Sequence, residues 1–139
     1  MHTTNSPDTF IAIAPDSQIA QGVIPAKSDS PTVAYLTHLM ISQNPYKYTS
    51  DDVIFTVFAD RKNIPAPERE AARAAFFARG QACLRASPLG KQLGWGVHSD
   101  GAGRLALYAV DTDEYRQLAA GSFRGRPVKV KYAMRASRT

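Results

Sequence analysis

The chain has 139 residues, of which 44% are hydrophobic and 21% are charged, and it carries a single cysteine. The length is typical of one domain, and the composition is that of a globular protein, neither disordered nor fibrous. One cysteine cannot form an internal disulfide or a multi-thiolate metal centre. No apolar run approaches the ~20 residues of a membrane-spanning helix, and the N-terminus lacks a secretory signal pattern, so we expect a cytoplasmic protein with no membrane partner.

The net charge of +5 is unevenly distributed along the chain. Residues 1–60 carry two basic and six acidic side chains, whereas residues 61–139 carry fifteen basic and six acidic ones. After Glu114 there are seven arginines or lysines and no acid. This asymmetry predicts an anionic partner, which can be a metabolite, a nucleic acid or a phospholipid.

The N-terminal half predicts one strand followed by three helices. Residues 9–14 are short and β-branched and stop at Pro15, which is typical of a strand. Apolar residues at helical spacing then recur in three segments, each with its own start and stop signals. The first predicted helix begins after a cap at Ser30 and Pro31 and ends at Asn44. The second begins after a cap at Thr49 and ends at Asn63, and the third runs from Pro67 to Gly80.

The C-terminal half predicts a hairpin, a short helix and a last strand. Residues 93–98 and 104–110 alternate apolar and other side chains on either side of a glycine-rich turn, which indicates a β-hairpin. Residues 111–114 resemble a capping box, and the helix that follows ends at Gly121. Residues 128–134 alternate apolar with basic side chains and therefore predict a strand with one basic face.

The element order is thus β-α-α-α-β-β-α-β. Helices clustered before a hairpin indicate an α+β fold and not a doubly wound sheet. We predict a single domain over residues 1–139, with a small, mostly antiparallel sheet of about four strands and helices packed on it. Disorder is expected at 1–6 and 136–139, as is common at chain termini.

Several sequence strings are similar to a known family. They lie at residues 1–5, 8–11, 44–53, 80–89 and 94–98, and include Asn-Pro-Tyr-Lys-Tyr-Thr-Ser-Asp-Asp-Val and Gly-Trp-Gly-Val-His. Together they resemble domain of unknown function 6157, a family of small bacterial and fungal proteins, over nearly the whole chain. The resemblance implies no activity that can be carried over to particular residues.

The densest group of candidate site residues lies between Gly80 and His98. Arginine and lysine supply donors for phosphate or carboxylate, and glycines let a backbone approach a ligand closely. Gly94 and Gly96 share a strand face with His98, so we expect an open cleft there that binds a small anionic metabolite. The structural alternative is that the glycines admit a packed helix. The predicted ligand-binding residues are Arg85, Lys91, His98, Cys83, Trp95 and Ser87.

Other chemistry has weaker support. Cys83 is either a nucleophile assisted by Arg85 or a small buried hydrophobe. The three histidines lack metal-ligand spacing, so no metal and no cofactor is predicted, and His38 lies off the apolar stripe of its helix, where we expect it to be solvated. Tyr46 and Tyr48 either anchor the loop between two helices or stack on a ring.

No nucleophile–base pair is evident, so a binding module is favoured over an enzyme. Two alternatives remain open at this stage. One is a protein that contacts nucleic acid through a basic C-terminal face, although no RNA-binding or helix-turn-helix pattern accompanies the charge. The other is an interaction protein without a ligand. The basic residues of that face are Arg124, Arg126, Lys129, Lys131 and Arg135.

Overall fold

The computed structural model describes residues 2–135 and has the predicted α+β fold. Two short 3-10 turns lie at 66–68 and 84–86. None of the helices in this range is long and apolar enough to cross a membrane. The elements are β1 (Thr9–Ala12), α1 (Val33–Ser42), α2 (Ser50–Arg61), α3 (Arg69–Phe77), α4 (Pro88–Lys91), β2 (Trp95–Ser99), β3 (Leu105–Ala109), α5 (Asp113–Ala119), β4 (Ser122–Phe123), β5 (Arg126–Pro127) and β6 (Lys129–Tyr132).

The main sheet has the strand order β3-β2-β1-β6. The β2–β3 and β1–β2 pairs are antiparallel, and β1 pairs with β6 in parallel. Phe10 on β1 therefore lies opposite His98 on one side and Val130 on the other. The sheet is mostly antiparallel, as predicted, with β3 and β6 at its edges. The β4–β5 hairpin is a separate pair of two-residue strands that sequence periodicity did not predict.

The two faces of the sheet pack against different elements. Because side chains alternate along a strand, neighbouring residues of β2 enter different environments. Val97 packs with Leu105 and with Ile41 of α1, on the face covered by α1 and α2. Phe10 is fully buried on the opposite face, where its ring meets Tyr115 of α5 edge-on at 5.2 Å. A third apolar cluster joins α2 to α3.

Side-chain caps define where the helices begin. Thr49 caps α2 as predicted, since its Oγ1 accepts from the amide of Asp52 at 3.2 Å, and the Asp52 carboxylate completes a capping box. The predicted start of α1 at Ser30 and Pro31 is wrong. The cap is Thr32, whose Oγ1 accepts from the amide of Tyr35 at 3.1 Å.

Residues 3–5 of the N-terminal segment contact α2 in the structure, and the predicted disorder at 1–6 stays a prediction. The carboxylate of Asp51, 9% exposed, accepts from Thr3 Oγ1 at 2.6 Å and from both the amide and Oγ1 of Thr4 at 2.7 Å. Asn5 Oδ1 accepts in return from the amide of Asp51 at 2.9 Å. A charged acceptor at the start of α2 thus holds the segment against the helix. The predicted disorder at 136–139 lies outside the described residues.

Candidate functional site

The predicted site residues lie on both faces of the sheet. Arg85 lines a cavity of about 40 Å³ together with Val97, on the face that carries α1 and α2. His98 is the next residue along β2, so its side chain points to the other face and lines a different cavity. Lys91, in α4, lines neither of these cavities. The predicted convergence of Arg85, Lys91 and His98 is therefore not formed.

Arg85 connects its own segment to the C-terminal strand. Its Nε donates to the carbonyl of Tyr132 at 2.7 Å, and its carbonyl accepts from the amide of Met134 at 2.7 Å. Its side chain also lines the 40 Å³ cavity with Cys83 and Lys131. At least part of the role of Arg85 is thus to hold the chain that follows β6.

Trp95 belongs to the same face as Val97, where it covers His38 of α1. The two rings meet edge-on at 4.7 Å, and Trp95 Nε1 donates to the carbonyl of Val23 at 2.9 Å. His38 is only 9% exposed, so the expectation that it is solvated was wrong. The helical stripe gave no sign of burial because the covering ring comes from a strand distant in sequence.

The expected cleft at Gly94 and Gly96 is filled. A Cβ atom on Gly96 would lie 2.2 Å from Cζ of Phe10 and 2.9 Å from Cε2 of Tyr115. A Cβ atom on Gly94 would lie 2.5 Å from the carbonyl oxygen of Gln21, and the φ of Gly94 is +80°. Both glycines serve close packing, which is the structural alternative stated above, although the partners are aromatic rings and a loop.

A groove of about 350 Å³ contains two of the predicted residues, Cys83 and Ser87. It runs between α1, α2, the end of α3 and the segment 81–88. Its volume falls within the range of small-molecule sites, and its lining is mainly apolar, as such sites usually are. The principal apolar side chains are Val33, Ile54, Val57, Phe58, Phe76 and Leu84.

Two cations lie at the α2 side of this groove, Arg61 and Lys62. Within residues 2–135 neither forms an ion pair, and the neighbouring Asp60 pairs with Arg69 at 2.9 Å. Sequence analysis assigned Arg61 and Lys62 only to the end of α2, where cations interact favourably with the helix dipole. Their position beside an apolar groove could not be predicted, since the opposite wall comes from residues 76–88.

The groove has little acid–base chemistry. Cys83 is half-buried and also lines the 40 Å³ cavity on the other side of its own segment. Ser87 Oγ accepts from the amide of Leu89 at 3.2 Å and so caps α4. Within the described part of the chain, no histidine or carboxylate lines the groove. The arrangement can bind a molecule but does not supply Cys83 or Ser87 with a base.

The basic C-terminal residues do not form one surface. Lys129 and Lys131 are exposed on the edge strand β6, and Lys131 lines the cavity of Arg85. Arg124 and Arg126 belong to the β4–β5 hairpin and line the cavity of His98 on the opposite face. Nucleic-acid binding through this set stays a prediction.

The buried histidines predict a loss of stability in mild acid. Burial lowers the pKa of His38, and burial lowers that of His98 although Asp100 and Asp8 partly oppose it. A histidine whose folded pKa is depressed stabilises the fold above its unfolded pKa of about 6.5, and that contribution is lost as pH falls below it. We expect the free energy of unfolding, measured in urea, to fall from pH 7 to pH 5, and to fall less in His38→Gln. Equal stability at both pH values would contradict this.

The structure is thus an α+β protein in which an apolar groove, edged by two cations that have no ion-pair partner among the described residues, lies beside a four-stranded sheet. The chain belongs to a family of unknown function, DUF6157, which it matches over residues 1–139, as the resemblance predicted. No curated protein and no solved structure matches the chain. Function therefore has to be argued from the geometry of its sites.

Proposed function

We propose that the protein binds a small anionic metabolite with an apolar body in the groove lined by residues 81–88. This is the ligand class that the sequence predicts near Gly80–His98, with Arg61 and Lys62 as its cations instead of Arg85 and Lys91. The observation that carries the proposal is an apolar groove of about 350 Å³ with two cations on one side, neither of them in an ion pair with any residue of 2–135. The apolar interior favours a ligand with a hydrocarbon body, and the two cations favour a ligand with a negative charge.

Magnitudes indicate which part of the ligand dominates. Each buried CH₂ group contributes about 0.8 kcal/mol, or roughly fourfold in affinity. Arg61 and Lys62 are exposed, and an exposed ion pair contributes only ~0.2–1 kcal/mol. Affinity should thus rise steeply with chain length and modestly with charge. A compact anion without an apolar body gains little from this groove.

The proposal is tested by calorimetric titration with octanoate, octyl phosphate and 1-octanol. We expect both anions to bind more tightly than the alcohol, by roughly threefold to tenfold, because only they pair with Arg61 and Lys62. Butyrate should bind far more weakly than octanoate. In Arg61→Gln/Lys62→Gln the two anions should bind no better than 1-octanol, whereas Arg79→Gln, at an exposed position outside the groove, should behave as the native protein.

A second variant separates binding in the groove from loss of fold. Ala82 is exposed and lines the groove, so Ala82→Phe should fill it without disturbing the core. We expect this variant to have the same melting temperature as the native protein and to bind none of the three probes. Undiminished octanoate binding by Ala82→Phe, or no binding by the native protein, contradicts the proposal and favours a protein that has no ligand in this groove.

A further inference from the structure

A second cavity, of about 220 Å³, lies on the other face of the sheet beside His98. The His98 side chain is 6% exposed, and its Nδ1 lies 2.8 Å from the hydroxyl of Tyr46. That hydroxyl lies 2.8 Å from the hydroxyl of Tyr108. Tyr46 and Phe123 both pack edge-on against the imidazole. The three polar groups therefore form one hydrogen-bonded chain that ends at this cavity.

The backbone around the cavity adopts costly conformations. Asp8, Tyr46 and Arg124 have φ values of 51°, 58° and 50°, and all three line the cavity. Left-handed backbone outside glycine is energetically unfavourable, and it is least tolerated by bulky side chains such as those of tyrosine and arginine. Such residues concentrate at binding and catalytic sites, where a side chain must be aimed in a particular direction.

Tyr46 and Arg124 reach the cavity through these conformations. The amide of Tyr46 donates to the carbonyl of Leu105 at 2.7 Å, at the start of the edge strand β3. The ring of Tyr46 lies beside His98, on the face of the sheet that packs against α5. Arg124 occupies the first position of the tight β4–β5 turn, ahead of Gly125 at φ +82°. Turns with two positive φ values favour asparagine, aspartate or glycine, so an arginine there is unusual.

One cation at the cavity is left without a carboxylate. Arg126 pairs with Asp8 at 3.0 Å, and Asp100 Oδ1 accepts from the amides of Ala102 and Arg104 at 2.9 Å. Arg124 forms no ion pair within residues 2–135, and its guanidinium lies 4.9 Å from the centre of the Phe123 ring. The cavity thus offers Arg124 to an incoming anion.

The hydrogen-bonded chain also favours one protonation pattern. If Tyr108 donates to Tyr46 and Tyr46 donates to Nδ1 of His98, both hydroxyl protons have an acceptor and the imidazole proton is on Nε2. In the reverse pattern the Tyr108 proton has no acceptor within the described residues. The first pattern places an N–H at Nε2, which has no hydrogen-bond partner among the described residues and is open to solvent, so it can donate to an acceptor in the cavity.

We propose that this cavity binds an oxyanion, the carboxylate or phosphate group of a small molecule, between Arg124 and Nε2–H of His98. The site is separate from the groove, since the sheet lies between the two. Tyr46 and Tyr108 act as positioning residues that keep the donor on Nε2. A volume of about 220 Å³ exceeds by far the ~10–15 Å³ that one water requires, so the oxyanion can carry an organic body.

The bound anion should couple to the protonation of His98. The charged and titratable groups that face His98 are Asp8, Asp100, Arg124, Arg126, Tyr46 and Tyr108. An added anion beside the imidazole favours its charged form and therefore raises the pKa of His98. By linkage, affinity for the anion should rise as pH falls through the pKa of His98, which burial holds below the usual histidine value in the free protein.

The test is NMR of the native protein with ¹⁵N-labelled histidine, titrated with sodium phosphate and, separately, with sodium acetate at constant ionic strength. We expect the Nε2–H tautomer of His98 in the free protein, a saturable shift of the His98 resonances with at least one probe, and a raised His98 pKa at saturation. Arg124→Gln should weaken binding roughly tenfold, whereas Arg116→Gln, an exposed arginine outside the cavity, should not.

Positioning is tested by Tyr108→Phe, which removes one hydroxyl and retains the ring. We expect a folded protein in which the His98 tautomer ratio shifts toward Nδ1–H and the anion binds more weakly. Ala82→Phe should leave these signals unchanged, so failure here is distinguishable from failure in the groove. The absence of a saturable shift with both probes, equal binding by Arg124→Gln, or an Nδ1–H tautomer in the native protein overturns the proposal.

Discussion

Gly96→Val is expected to abolish folding or to lower the free energy of unfolding by more than ~3 kcal/mol, above the usual range for overpacked cores. A Cβ atom at position 96 already falls 2.2 Å from Cζ of Phe10, and valine adds two methyl groups. Phe10 has no exposed surface and is packed against Tyr115, so it has no room to move away. Urea unfolding followed by circular dichroism measures the change.

The matched control is Gly80→Ala. Nothing lies within 4 Å of a Cβ atom at Gly80, so this substitution should change the unfolding free energy by less than about 0.5 kcal/mol. A folded Gly96→Val variant of native stability would show that the face beside His98 is an open cleft, as sequence alone suggested, and would contradict the packing described here.

Asp51→Ala is expected to destabilise the protein by about 2–4 kcal/mol. Three donors lose a charged acceptor, at ~1.5–3 kcal/mol each, but the loss is smaller than the sum because these donors are only partly buried and can bind water instead. The donors are Thr3 Oγ1 and both the amide and Oγ1 of Thr4. Asp60→Asn is the control, because Asp60 takes part in a largely exposed ion pair with Arg69 and should contribute less than ~1 kcal/mol. Urea unfolding of both variants provides the comparison.

A double-mutant cycle separates this contact from a general effect of charge. Thr3→Val/Thr4→Val should lower the free energy of unfolding. When it is combined with Asp51→Ala, the total loss should be clearly smaller than the sum of the losses in the double variant and in Asp51→Ala. Additive losses of stability would mean that Thr3 and Thr4 do not bind Asp51, and would support the disorder predicted at 1–6 from its position at the chain terminus.

The fold was predictable where one local signal decides the structure. Alternation at Trp95–Ser99 and Leu105–Ala109 fixes strands with two faces, and the hydroxyl of Thr49 fixes the start of α2. The contacts of residues 3–5 with Asp51 escaped prediction because Asp51 is distant in sequence. The β4–β5 hairpin escaped because two-residue strands carry no periodicity.

The candidate sites were predictable only in part. Cys83 and Ser87 lie in a groove, as the segment suggested, but its cations come from the end of α2. His98 lies in a cavity, but its partners are Tyr46 and Arg124. A glycine in a strand indicates that another group approaches the backbone closely, but it does not indicate whether that group is a ligand or a side chain of the protein. Phe10 and Tyr115 fill the space at Gly96 because their own strand and helix place them there.

The most direct measurement of the groove is the reaction rate of Cys83 with N-ethylmaleimide in the presence of octanoate. Cys83 is the only cysteine of the chain, so the modification reports on one side chain, which lines the groove and also the 40 Å³ cavity. The comparison with Arg61→Gln/Lys62→Gln assigns the protection to the groove, because both cations line the groove and neither lines that cavity. We predict that octanoate slows the reaction in a saturable manner, with a midpoint equal to its calorimetric Kd, and that Arg61→Gln/Lys62→Gln needs a higher concentration for the same protection. A modification rate that stays constant up to saturating octanoate would contradict binding in the groove.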